Sequence, residues 1–114
     1  ALDLHAIVSI FDPDGIITYV NQKFCDLNEY AYDELIGHTH ERINPQLKQL
    51  PFYPELRRTL EAGKPWHGEL EQFSKSGRRH ILYATLVPIV DEHGKPVRFV
   101  AIHTDITRQK ELEA

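Results

Sequence analysis

Apolar and β-branched residues cluster in Ala6-Ile7-Val8-Ser9-Ile10-Phe11 and again in Ile16-Ile17-Thr18-Tyr19-Val20, with Asp12-Pro13-Asp14-Gly15 between them. Two such runs joined by turn-forming residues predict a β-hairpin. Asn21 follows, a residue whose side chain accepts from the free N–H groups of a helix start, and Phe24, Leu27 and Asn28 then recur at helical spacing. Asp33-Glu34-Leu35-Ile36 predicts a further helical turn stopped by Gly37, and His40 to Ile43 a weaker one that Pro45 breaks. From Phe52 to Ala62, the apolar positions Phe52, Leu56 and Leu60 fall four apart on one face, with Gly63 as a left-handed end and Pro65 beyond. The rest reads as strands: Trp66 to Phe73, Arg79 to Val90 and Val97 to Ile106, separated by Ser74-Lys75-Ser76-Gly77 and Asp91-Glu92-His93-Gly94-Lys95. Two strands, short helices and a three-strand meander make an α+β layout with an antiparallel sheet. The charged run Arg108-Gln109-Lys110-Glu111-Leu112-Glu113 predicts the first turns of an exposed or coiled-coil helix.

Length narrows this to one domain, since 114 residues hold a single core. Thirteen basic against seventeen acidic residues give a net charge of -4, which argues against a nucleic-acid partner. Cys25 is the single cysteine, so an intrachain disulfide is out and a reducing, cytoplasmic setting is expected. No apolar run approaches the ~18 residues of a membrane span, so no direct membrane contact is expected. A chain without Met is expected to be a piece of a longer polypeptide.

The ordered set Asp12-x-x-Gly15-x-Ile17-x-Tyr19-x-Asn21, Phe24-Cys25, Tyr32-x-Glu34-Leu35-Ile36-Gly37, Trp66-x-Gly68-Glu69, Lys75-x-Gly77 and Thr104-Asp105-Ile106-Thr107 resembles the PAS family from about residue 5 to 110. The resemblance implies a five-stranded antiparallel sheet in the order 2-1-5-4-3, with short helices packed on one face around a small cavity. It implies a sensory domain, residues 1–107, feeding an output or linker helix that begins at 108–114. The domain would not be an enzyme. Its partner would be a covalently linked effector, such as a histidine kinase or diguanylate cyclase, and a homodimer is a further expectation. The cavity would bind a small ligand, or the domain would act as an interaction module. Asp105 and Thr107 would form the signal junction, although a strand end followed by a helix cap accounts for them equally well.

Strand alternation aligned on that junction aims Ala101 and His103 inward, with Leu82, Ala84 and Leu86 on the next strand, Leu70 and Gln72 beyond, and Ser9 and Phe11 on the first strand. A mostly apolar wall with His103, Gln72 and Ser9 as polar points suits a small-molecule site and a plain core alike. Light-sensing flavin relatives need a Cys where this chain has His40, in Gly37-His38-Thr39-His40-Glu41, so their photochemistry is not expected. Trp66-x-Gly68 is similar to the tryptophan segment of FAD-binding redox sensors, which place Asn six residues on. Here Gln72 offers the same amide groups on a longer arm, and FAD redox sensing is the alternative function.

Haem relatives take their His from the long helix, and Phe52 to Ala62 has none. His38 and His40 are two residues apart and do not share a helical face, so no metal site is expected. His5, His67, His80 and His93 are expected at the surface or in turns, and Cys25 as a buried small hydrophobe.

Overall fold

The structure, a computed structural model, describes residues 6–113. Strand β1, Ile7–Phe11, and β2, Ile17–Val20, form the expected hairpin, and the meander consists of β3, Trp66–Phe73, β4, Arg79–Val90, and β5, Pro96–Asp105. All neighbours are antiparallel, and the sheet order is β2-β1-β5-β4-β3. The hairpin turn closes because the Asp12 carboxylate accepts from the backbone N–H of Asp14 and Ile16, while Gly15 takes φ 85°, where a side chain would be strained. Asp91 and Gly94 repeat this device between β4 and β5.

Helix α1, Gln22–Asn28, starts where Asn21 Oδ1 accepts from Phe24 N at 3.0 Å and from Val8 N at 3.1 Å. One side chain thus fixes both the helix start and its seat on β1. Helix α2, Tyr32–Leu35, is a single turn, and 3-10 turns follow at His40–Arg42 and Leu47–Gln49. Helix α3, Tyr53–Glu61, lies inside the expected Phe52 to Ala62, both of which serve as its caps. Helix α4 spans Thr107–Glu113.

The helices divide the inner sheet face between two apolar clusters. Ile7, Ile17, Phe24, Leu35 and Leu82 form one, under α1 and α2. Leu56, Leu60, Trp66, Ala84, Leu86, Phe99 and Ala101 form the other, under α3. Leu70 packs against both, and the seam between them is where the helices leave space.

Four strand ends differ from expectation by one residue: β1 begins at Ile7, β2 begins at Ile17, with Ile16 making a lone bridge to Thr39, and β5 begins at Pro96 and ends at Asp105. Leu47–Gln49 was not foreseen as a helical turn. His5 lies outside the described residues. His80 corrects the surface expectation, being 7% exposed because it shares the inward parity of Leu82 and Ala84. Cys25 is buried, with its thiol pKa raised by desolvation and then by Asp26.

Candidate functional site

Register decides which side chains share the cavity. Ser9 pairs with Ala101 and Ile7 with His103, while Leu86 pairs with Ala101 and Ala84 with His103, so β1, β5 and β4 present these residues on one face. A cavity of about 430 Å³ opens between that face and the segment from His40 to Glu61. That is within the range of small-molecule pockets. Phe11, Leu70, Gln72, Leu86, Phe99, Ala101 and His103 line it, together with His40 from the first 3-10 turn.

Part of the cavity wall is aromatic. Phe11 and Phe99 stack at 5.2 Å, and His40 meets the edge of Phe11 at 5.1 Å. Polar and charged side chains line it as well, among them Asp12, Glu41, Lys48, Arg57, Gln72 and the two histidines. Ser9 Oγ lies 3.1 Å from His40 Nε2, a hydrogen bond that holds the imidazole in place. Burial lowers the His40 pKa to about 4, and burial together with the neighbouring His40 lowers that of His103 to about 3. Both rings are therefore uncharged at neutral pH. His103 Nδ1 is buried and has no hydrogen-bond partner among the described residues.

The expected wall residues divide into two groups. Phe11, Leu70, Leu86, Ala101, Gln72 and His103 line the cavity. Ser9 reaches it through His40 rather than directly, and is fully buried. Leu82 and Ala84 face the same side but lie beneath the helices, each 0% exposed and committed to the core clusters. Trp66 packs in the α3 cluster, stacked at 5.3 Å on Phe52, which lines the cavity while Trp66 does not. Gln72 donates an amide hydrogen to Asn28 Oδ1, which ties β3 to α1. Besides Phe52, Leu56 and Phe99, a wall contact that was missed is His40. Its contact with Ser9 spans 31 positions and no local periodicity announces it.

At the far end of β5 the chain turns into α4 through a compact latch. Asp105 Oδ1 accepts from Thr107 N at 3.0 Å and from Thr107 Oγ1 at 2.5 Å. Thr107 Oγ1 in turn accepts from Ile81 N at 2.9 Å, and Ile106 N donates to Ile81 O at 2.9 Å. The Thr107 hydroxyl thus serves β4 and Asp105 rather than capping its own helix. His80 Nδ1 stands 3.5 Å from Asp105 Oδ2. Although desolvation opposes it, the Asp105 pKa is lowered by these hydrogen bonds and by His80. Lys110 Nζ reaches Glu69 on β3 at 2.9 Å, setting the direction in which α4 leaves.

A family model described as "PAS fold" matches residues 3–111, nearly the whole chain. The chain belongs to the PAS family. The sheet order implied by that resemblance is the observed one.

The chain is 32% identical over 107 residues to the biofilm dispersion protein BdlA of Pseudomonas aeruginosa, covering 93% of this chain and 26% of that protein. It is 30% identical over 105 residues to the aerotaxis receptor of Escherichia coli, covering 91% of this chain and 20% of the receptor. With the nitrogen fixation regulatory protein of Klebsiella pneumoniae the identity is 24% over 106 residues, covering 93% and 21%. The chain thus spans about a quarter or less of these relatives.

Among solved structures, the PAS domain of a Colwellia psychrerythraea protein superposes with a TM-score of 0.80 at 23% identity, over 91% of this chain and 88% of that one. An RNA-binding light-oxygen-voltage receptor superposes with 0.84 at 20% identity, over 94% and 31%. These likenesses establish the fold. Among the described residues, no helix is long and apolar enough to cross a membrane.

Proposed function

We propose that this PAS domain is the sensory input of a larger signalling protein, taking a small ligand into the cavity beside His103 and passing the response along β5 to α4. The observation that carries this reading is that His103, which lines the cavity, and Asp105, at the head of the latch, are on one strand two residues apart. A shift of β5 at His103 would be passed to the bonds among Asp105, Thr107 and Ile81 two residues on. Residues 1–107 form the sensor in this reading, and 108–114 begin the connection to an effector such as a histidine kinase or diguanylate cyclase. The relatives support it because the biofilm dispersion protein and the aerotaxis receptor are several times longer than this chain. A cytoplasmic position of the domain belongs to the same proposal.

The FAD reading rested on Trp66 and Gln72. Trp66 is a packing residue on Phe52, and Gln72 gives an amide hydrogen to Asn28. What remains for a flavin edge is Gln72 with its second amide hydrogen and carbonyl oxygen. That is a poorer donor set than the resemblance implied, and small-ligand sensing without flavin is the reading preferred. Native purification decides between them: a colourless protein whose native mass includes a non-flavin adduct fits the preferred reading, and a yellow one with flavin absorbance overturns it. For the junction, Asp105→Ala in the full-length parent should leave ligand affinity unchanged and abolish the response; an intact response would sink the role given to Asp105.

A further inference from the structure

Strand β3 lies at the edge of the sheet, paired with β4 alone, and runs into the turn Ser74-Lys75-Ser76-Gly77 just after Gln72. That hairpin closes by itself. Ser74 N donates to Arg78 O at 2.9 Å, Gly77 N to Ser74 O at 2.8 Å, and Arg78 N to Ser74 Oγ at 3.1 Å. Further bonds leave the turn and end on two consecutive residues where α1 stops. Lys75 N donates to Asn28 O at 3.0 Å, while Ser76 N and Ser76 Oγ donate to Glu29 Oε1 at 2.9 Å and 2.5 Å, 47 positions away. Lys75 Nζ also reaches Glu34 on α2 at 3.0 Å. None of these is needed to close the hairpin, so they act as a clamp between the sheet edge and the helices.

The same end of α1 holds a cavity residue. Asn28 is fully buried, donates through Nδ2 to Phe24 O at 3.0 Å and accepts from Gln72 Nε2, and Gln72 lines the cavity. Because a backbone carbonyl only accepts, Asn28 turns its NH2 to Phe24 and its oxygen to Gln72. Asn28 thus receives Gln72 on its side chain and the turn on its backbone.

Glu29, next in the chain, takes φ 63° and ψ 36°, the single non-glycine residue with positive φ among the described residues. A side chain is strained in that region and stays there only where its surroundings fix it. Here the carboxylate fixes it: hydroxyl bonds from Ser74 and Ser76, then the Ser76 N–H, lower its pKa to about 2. Releasing the turn would also let this backbone relax.

From this arrangement we propose that the β3–β4 turn is a releasable clamp coupled to the cavity: moving Gln72 off Asn28 frees the turn from Glu29 and opens the sheet edge against α1. It is an outlet separate from the latch at Asp105, on the opposite edge of the path from the cavity. The coupling belongs to the chain itself and is tested without any ligand, so its failure leaves the ligand-cavity reading untouched. In that reading, a ligand that displaces Gln72 is the trigger.

Backbone amide exchange of the folded domain at neutral pH reads the clamp at Lys75 and Ser76, whose N–H groups are its donors. Gln72→Met removes the bond to Asn28 with an apolar side chain of similar length. It should quicken exchange at both amides about tenfold, the worth of one net hydrogen bond, although Gln72 bonds to neither, and leave β5 unchanged. Coupling is reciprocal, so a change at the turn must reach the cavity. Glu29→Gly removes the carboxylate and eases the backbone, so it keeps the fold. It should quicken exchange at Ser76 and shift the side-chain amide signals of Gln72 and Asn28.

Unchanged exchange at Lys75 and Ser76 in Gln72→Met, or unmoved Gln72 and Asn28 side-chain signals in Glu29→Gly, would each overturn the coupling. Exchange that quickened equally in β4 and β5 would overturn it too, because the Gln72 bond would then serve global stability and no clamp.

Discussion

The two cavity histidines are a thermodynamic liability. In the unfolded chain their imidazoles take up protons as pH falls through about 6.5, whereas in the folded protein His40 stays neutral down to about 4 and His103 to about 3. Between those values the unfolded state binds more protons, so stability rises with pH. The contribution is fully present above about 6.5 and is lost as pH falls toward the folded values. Each unit of displacement is worth about 1.4 kcal/mol, so the expected loss is several kcal/mol. The Tm should therefore drop steeply between neutral pH and pH near 4, and the paired substitution His40→Phe with His103→Leu should flatten that dependence. An unchanged slope in the double variant would refute the assignment.

Gly68 makes a second prediction at this scale. A Cβ there would lie 2.5 Å from Cη2 of Trp66, so the glycine exists to let the indole lie across β3. Gly68→Ala should cost about 1–3 kcal/mol by displacing the ring. Because Trp66 is the chain's single tryptophan, its fluorescence reports the displacement directly. An unshifted emission spectrum with an unchanged Tm would show that the ring relaxes at no cost. Sequence reasoning reached the inward set of His103, Ala101 and Leu86 through strand parity, and the same parity applied to Leu82 and Ala84 puts His80 inside. Its position beside a turn concealed that. His40 carried no such signal, since a 3-10 turn has too short a period to mark a face.

The elements were legible to within a residue wherever a cap or turn residue spoke locally. Asn21, Gly15 and Gly63 each sit where side-chain or backbone chemistry dictates a boundary. The strand order was not legible from periodicity, because alternation says which residues share a face and nothing about which strands are neighbours. That part came only from the family resemblance. The segment between α2 and α3 was also obscure, being held by 3-10 turns and by packing rather than by pattern.

At the junction, the elements are joined by a hydroxyl that serves two masters. Thr107→Val keeps the shape of the side chain and removes both the donation to Asp105 and the acceptor for Ile81 N. With that backbone N–H left unpaired, the expected loss is about 1–3 kcal/mol, concentrated at the start of α4. Amide exchange should quicken at Thr107 to Lys110 and at Ile81 while the core of α3 keeps its protection. Exchange that quickened uniformly would mean a loss of global stability and no special latch.

For the whole molecule, the two faces of the sheet lead to different consequences. The inner face is spent on the apolar clusters and the cavity. Among the described residues, no helix covers the outer face along most of its length, and it shows Tyr83, Ile89 and Ile102 at 41%, 41% and 38% exposure, beside the partly buried Val87 and Val100. Tyr83 stacks on His67 at 6.4 Å, and His67 meets Thr85 at 3.2 Å, so part of this surface is already ordered. Contiguous exposed apolar area of this kind marks an association surface. A homodimer through this face, the partner expected from the family resemblance, would bury Ile102 near its centre and leave the cavity mouth, on the opposite side, open to ligand. The expected result is a concentration-dependent increase in mass by sedimentation, abolished by Ile102→Glu, with ligand binding to the cavity unaffected. A monomer at all concentrations would remove the dimer from the proposal. Loss of dimer together with loss of ligand binding would instead couple the two faces, as a sensor that signals by rearranging its own sheet requires.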